Sequence, residues 1–173
     1  PDKILVIDQM PQKSEFEQIV RYWDKAGTEA KNTDKNKGPA WTVGLKMAKL
    51  KGGKYLILNI VRGRWSSEER EAKIKEVAEA DGNDIKQVDI GIEQEPGSGG
   101  KESAQATVKN LAGHNVIVDR PTGDKAYRAD PFSVQVNWGN VMMMQAEWNK
   151  AFKEELRFFP FGTFKDQVDA ASG

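Results

Sequence analysis

Three groups of acidic residues stand where regular structure should end: Asp24 after EQIVRYW, Glu93 and Glu95 after VDIGI, and Asp166 and Asp169 in DQVDAASG. Functional groups tend to lie at such element ends. Gathered in one place, these carboxylates would repel one another unless a cation lay among them. A set of hard oxygen ligands suits Mg²⁺ or Mn²⁺. The chemistry it permits is phosphodiester hydrolysis, with one or two divalent ions, roughly 4 Å apart when paired, activating water and stabilising the leaving oxygen. The plain alternative is that acidic residues at strand and helix ends are surface groups or N-caps.

The rest of the composition narrows the choice by elimination. With no Cys, the chain has no disulfide framework, zinc knuckle, iron–sulfur cluster or thiol nucleophile, and a reducing cytosol is its simplest home. A single His, His114, is too little for a His-rich zinc site, and its place after Gly113 suits a capping or surface role. Lys plus Arg and Asp plus Glu both number 26, so any attraction to DNA must come from a local patch. Hydrophobic residues make up 38%, with five Trp and seven Phe, enough for a folded domain of 173 residues. No apolar run approaches the roughly 20 residues that cross a bilayer, and no signal peptide pattern opens the chain. The start at Pro1 and the end at Gly173 suggest that residues 1–173 are a single domain excised from a longer protein.

Several elements must position the carboxylates. Residues 17–23 read as a strand that ends at Asp24 and enters a long polar loop, and 41–50 with 55–61 read as a hairpin around Lys51-Gly52-Gly53-Lys54. Ser66 caps a helix that carries Ile74, Val77 and Ala78 at helical spacing up to Asp81-Gly82. Residues 88–93 form a strand, 96–100 break it, 101–111 form a helix and 116–118 a short strand. Residues 125–138 are helical around Pro131, at a start or a kink, and 147–158 form an amphipathic helix. Met142, Met143 and Met144, with Trp148, Phe152 and Leu156, read as core. The result is a mixed α/β domain in which adjacent strands can bring Asp24 beside Glu93, and a packed helix can bring Asp166 to the same edge. Glu93 and Glu95 share one side of an ideal strand. Glu93 continues the strand and is preferred, with Glu95 as second ligand or bystander.

Two other signals have simple readings. Gly97-Ser98-Gly99-Gly100-Lys101 follows a strand and precedes a helix, yet it fails as a phosphate-binding loop: Glu95 holds the first Gly position and Glu102 replaces the Ser or Thr that would reach Mg²⁺. Arg62, Arg64, Lys101, Arg120, Lys125 and Arg128 stand at or near loops, where basic groups hold phosphates without reading sequence. Solvated surface or ion pairing within the protein is the ordinary alternative.

In order from about Arg21 to the end, RYWDKAGTE, WTVGLKM, YLILNIVRGRWSSEE, IGIEQEPGSGGK, RPTGDKAYRADPF and KDQVDAASG resemble the C-terminal nuclease domain of the large terminase subunit of tailed bacteriophages. The resemblance implies an α/β, ribonuclease H-like fold, with a central mixed sheet of five strands or more in the order 3-2-1-4-5 flanked by helices. It also implies metal-dependent cutting of double-stranded viral DNA during packaging, in the cytoplasm of an infected bacterium. The implied partners are an N-terminal ATPase domain of the full-length chain, a small terminase subunit and a portal. Carried over residue by residue, it makes Asp24 the first catalytic carboxylate, places the second in Glu93-Gln94-Glu95 and the third at Asp166 or Asp169; Glu93 and Asp166 are taken as the catalytic pair with Asp24, and all five as candidate metal ligands. One departure stands out. The family's His-Asp-Asp-x-x-Asp stretch reads Phe164-Lys165-Asp166-Gln167-Val168-Asp169, so one ligand is replaced by a cation. That departure motivates a competing reading as a non-catalytic DNA-binding or docking module. A third reading keeps the fold but acts, resolvase-like, on branched DNA.

Overall fold

The computed structural model describes residues 2–25, 41–120 and 125–158. In chain order these form β1 (Leu5–Ile7), a short 3-10 turn, β2 (Phe16–Asp24), β3 (Thr42–Leu50), β4 (Tyr55–Gly63), α1 (Ser67–Asp81), β5 (Val88–Glu93), α2 (Ser98–Asn110), β6 (Val116–Asp119), α3 (Lys125–Asn137), β7 (Val141–Met144) and α4 (Asn149–Phe158). The strands make one sheet in the order β1-β7-β4-β3-β2-β5-β6. Counted from β2, the five adjacent strands β4-β3-β2-β5-β6 follow the expected 3-2-1-4-5, and β7 and β1 extend the sheet beyond β4. Only β3 runs against the others.

The two faces of the sheet follow from strand alternation. On β2, Trp23 faces the side of α1 and α2 and packs with Ile74, Val77, Ala78, Ile90, Ile92, Ala104 and Leu111. Tyr22 faces the opposite side, with Val43, Leu45, Ile57 and Ile60, under Phe132 and Val136 of α3 and Phe152 of α4. Trp148 meets Phe152 edge-on, with ring centroids 6.4 Å apart. The Met run is divided by the same alternation: Met143 enters this second core, while Met142 and Met144 pack with Phe16, Ile19 and Leu56 on the other side.

Two buried cations, Arg21 on β2 and Lys25 just after its end, hold α1 in place. Arg21 makes a two-pronged bond to Asp81, with Nε to Oδ2 and Nη2 to Oδ1 both 2.9 Å, and donates from Nη1 to the Gly44 carbonyl and to Asn59. Lys25 donates to Glu71 at 3.2 Å, to the Ser103 carbonyl and hydroxyl, and to Thr107 at 2.6 Å. Four residues of strand span about 13 Å and ten residues of helix about 15 Å, so Arg21 and Lys25 match the spacing of Asp81 and Glu71. Helix α1 therefore runs antiparallel to β2, clipped at both points, with Trp23 packed between.

Several expectations need correction. Lys25 was expected in a polar loop and is instead buried among α1 and α2. The segment 96–100 was expected to be irregular, yet α2 starts at Ser98. Val141–Met144, whose methionines read as core without an assigned element, is a strand, and it carries β1 as a parallel edge partner. Pro131 lies inside α3, which excludes the helix-start alternative. Among the described residues no helix is long and apolar enough to cross a membrane.

Candidate active site

Because β2, β5 and β6 are parallel, their C-terminal ends share one edge of the sheet. Trp23 pairs with Ile92, so Asp24 aligns with Glu93, and Glu93 pairs in turn with Asp119 of β6. On the other side Asp24 pairs with Val43, and Val43 with Arg62 of β4. Residues aligned across a ladder point to the same face. Arg62, Val43, Asp24, Glu93 and Asp119 thus form a single row on the face that carries Tyr22, opposite Trp23 and Ile92.

Three carboxylates converge in this row and just beyond it. Asp24, Glu93 and Glu95 each bring an oxygen to within 4.8 Å of the others. Asp24 and Glu93 are buried, at 3% and 7% exposure, and Glu95 is half-buried. Local packing explains how Glu95 comes to share the site with Glu93. The chain turns sharply after Glu95 into α2, and a Cβ at Gly100 would overlap the Glu95 carbonyl oxygen. Only glycine lets the first turn of α2 close over that backbone.

Tyr22 builds the floor beside them. Its ring lies across Gly91 of β5, where an added Cβ would stand 2.8 Å from Tyr22 Cδ2, and its hydroxyl donates to Asp119 Oδ2 at 2.7 Å. Burial pushes the phenol well above its ordinary range, and the bond to Asp119 with the nearby charges of Glu93, Asp119 and Asp24 pushes it further. The hydroxyl stays protonated and remains a donor. Gly91→Ala should therefore lower stability by about 1–3 kcal/mol through overpacking, read from urea unfolding midpoints. In a Tyr22→Leu background most of that penalty should vanish; an equal penalty there would place the strain elsewhere.

The donor set fits a divalent cation. Three like charges this close in a partly desolvated site are mutually unfavourable without a positive partner. All three offer hard oxygen, and the sole imidazole, His114, precedes β6 and so lies at the opposite edge of the sheet. Asp166 and Asp169 lie outside the described residues. Of the basic candidates, Arg62 is half-buried and Arg64 exposed near this edge, while Lys101 is exposed on the first turn of α2 and Arg120 is exposed directly after β6. Lys125 and Arg128 belong to the start of α3, and their side chains lie outside the described structure.

Tyr22, Lys25, Trp41 and Asp119 escaped the reading of the sequence. Asp119 carried a usable signal, an acid directly after the apolar run Val116-Ile117-Val118, the same pattern that marks Asp24 and Glu93.

A mixed sheet of this order, with carboxylates gathered at the ends of its first and fourth central strands, defines a ribonuclease H-like domain. Residues 21–172 match the family described as the terminase RNaseH-like domain, and the chain belongs to that family. Among solved structures, the P22 large terminase nuclease domain superposes with a TM-score of 0.66 at 11% identity, covering 99% of this chain and 86% of that one. The large terminase nuclease of thermophilic phage G20c is similar in its zinc-bound form, with a TM-score of 0.64, 13% identity and coverage of 99% and 92%. Its magnesium-bound form gives 0.65, 12% identity and coverage of 99% and 91%. No curated protein matches the chain in sequence.

Proposed function

We propose that this domain is a divalent-metal-dependent endonuclease that cuts double-stranded viral DNA during genome packaging. The observation that carries the reading is the convergence of Asp24, Glu93 and Glu95 at one strand edge of a terminase RNaseH-like domain. The G20c nuclease, similar in fold, has been crystallised with magnesium and with zinc bound, which supports a cation-binding role for a domain of this fold. In this reading Asp24 and Glu93 hold Mg²⁺ or Mn²⁺ together with Glu95, and Asp166 or Asp169 supplies a further carboxylate. A bound divalent ion would supply Lewis acidity toward the phosphodiester and lower the pKa of an attacking water. The chain's own residues do the positioning. Asp24 and Glu93 are held by the sheet register, Glu95 by the closure of α2 over its backbone, and Asp119 by the Tyr22 hydroxyl.

The test is a cleavage assay on linear duplex, supercoiled plasmid and a four-way junction, each with Mg²⁺, Mn²⁺ or chelator. Cutting of linear and supercoiled duplex with either ion, abolished by chelator, is the expected result. Cutting confined to the junction would favour a resolvase-like enzyme. Binding without metal-dependent cutting, the outcome that Lys165 motivates, would leave a docking module and overturn the proposal.

A further inference from the structure

We propose that Arg62, Arg64 and Trp41 form a preassembled clamp for a backbone phosphate of the DNA, on the same strand as the phosphate that lies at the carboxylates and flanking it. The proposal rests on the nuclease reading for its substrate and adds the site that orients that substrate. Trp41 immediately precedes β3, and Arg62 and Arg64 stand at and just beyond the end of β4, so all three reach the edge that carries Asp24. The Arg62 guanidinium lies over the Trp41 ring at 4.6 Å from its centroid, and that of Arg64 at 5.0 Å.

Two guanidiniums gathered on one indole repel each other. The ring face offsets part of that repulsion, since a cation over an aromatic face is attracted to its quadrupole. A planar ring also holds the guanidiniums in a fixed orientation, which leaves less rotamer freedom to be lost when they meet an anion. Phosphate diesters are the ligand that guanidinium forks match best. Arg62 stands in the same row as Asp24, two strands away, which is about 10 Å at the usual strand separation. That offset places the positive charge beside the carboxylates instead of among them. An anionic strand laid along the row meets cations at the β4 end and carboxylates at the β2–β5 end. The clamp therefore sets both the position and the direction of the strand on the site.

Binding of a fluorescent duplex is measured by anisotropy across a salt series, in chelator so that no cutting occurs, for the whole 173-residue chain. Each phosphate contact contributes about 0.9 to the slope of log K against log salt concentration. The Arg62→Gln/Arg64→Gln variant should lose affinity to the same degree on unrelated sequences, with the slope smaller by about 1 to 2. Trp41→Leu should weaken binding although both arginines remain, and Trp41→Phe, which keeps an aromatic face and the packing, should restore much of it. Unchanged affinity and slope in the double-glutamine variant, with wild-type melting, would overturn the clamp. Reduced binding in Trp41→Leu that Trp41→Phe does not restore would remove Trp41 from it. The two proposals fail separately: wild-type protein that cuts while its variants bind unchanged sinks only the clamp, and variants that bind poorly while the wild type does not cut sink only the nuclease.

Discussion

Asp24→Asn should reduce metal-dependent DNA cleavage by about 10²- to 10³-fold or more, while raising the melting temperature of the protein in chelator. Both effects follow from the same carboxylates. Oxygens of Asp24, Glu93 and Glu95 lie within 4.8 Å of one another. At an effective dielectric constant near 20, each pair of unit charges at that distance repels by up to about 3–4 kcal/mol. Asn keeps the shape of Asp and removes one of the three charges, so the metal-free fold is relieved. The ion loses a ligand at the same time. If it contributes several kcal/mol of transition-state stabilisation, at about 1.4 kcal/mol per tenfold in rate, a loss of two to three orders of magnitude follows. Wild-type protein should also melt at a higher temperature when Mn²⁺ is added, since a ligand at 100 times its dissociation constant stabilises by about 2.7 kcal/mol. Asp24→Asn should lose most of that rise. Calorimetry with and without Mn²⁺, beside the cleavage assay, checks all three, and undiminished cleavage in the variant would remove Asp24 from the site.

Only part of this carboxylate cluster was legible in the sequence. Asp24 and Glu93 were visible because each ends a run of strand character, and strand ends on one side of a parallel pair share an edge. That Glu95 belongs with Glu93 was not decidable from alternation, which gives both residues the same side; it depends on Gly100 closing over the Glu95 backbone. Helix α1, on the face away from the carboxylates, could be read from Ser66 and from the spacing of Ile74, Val77 and Ala78. The three residues of β1 were too few to show a period, and their partner β7 lies near the other end of the chain. Trp41 looked like the first residue of a strand, and nothing local marks it as the seat of two arginines. Long-range pairing is what the pattern of one segment cannot contain. Arg21 shows this most sharply: alternation puts it on one side with Ile19 and Trp23, and the partner that makes its burial possible, Asp81, lies 60 residues further along the chain.

Arg21→Met should destabilise the domain by about 3 kcal/mol and lower its melting temperature by about 10 °C, given roughly 2–4 °C per kcal/mol at this size. Arg21 and Asp81 are 3% and 7% exposed, and breaking a buried pair by removing one partner typically costs 3–5 kcal/mol. The lower end applies because Lys46 stays 3.3 Å from Asp81 and partly neutralises it. The loss matters for α1 in particular. Asp81 sits at the C-terminal end of that helix, where a carboxylate opposes the helix dipole, and the last turn has no basic residue of its own. Its counter-charges come from the sheet, from Arg21 on β2 and Lys46 on β3. The double variant Arg21→Met/Asp81→Leu should recover part of the loss, since two apolar groups leave no buried charge stranded. Burial alone would push the Asp81 carboxyl up, but the bond and charge of Arg21, aided by Lys46, outweigh it and hold the group below its ordinary value. A carboxyl depressed in the folded state contributes stability that is complete above its unfolded pKa, about 4 for aspartate. That contribution fades as pH falls through the folded value. Urea midpoints of the wild type should therefore decline below about pH 4, and the part due to Asp81 should shrink in Arg21→Met. A midpoint within about 0.5 kcal/mol of wild type at neutral pH, the range of an ordinary surface substitution, would mean that apolar packing around Trp23 holds α1 on β2 without the ion pair. If the network does hold it, loosening Arg21 also frees the strand whose next residues include Tyr22 and Asp24, and cleavage should fall more than the loss of folded protein alone accounts for.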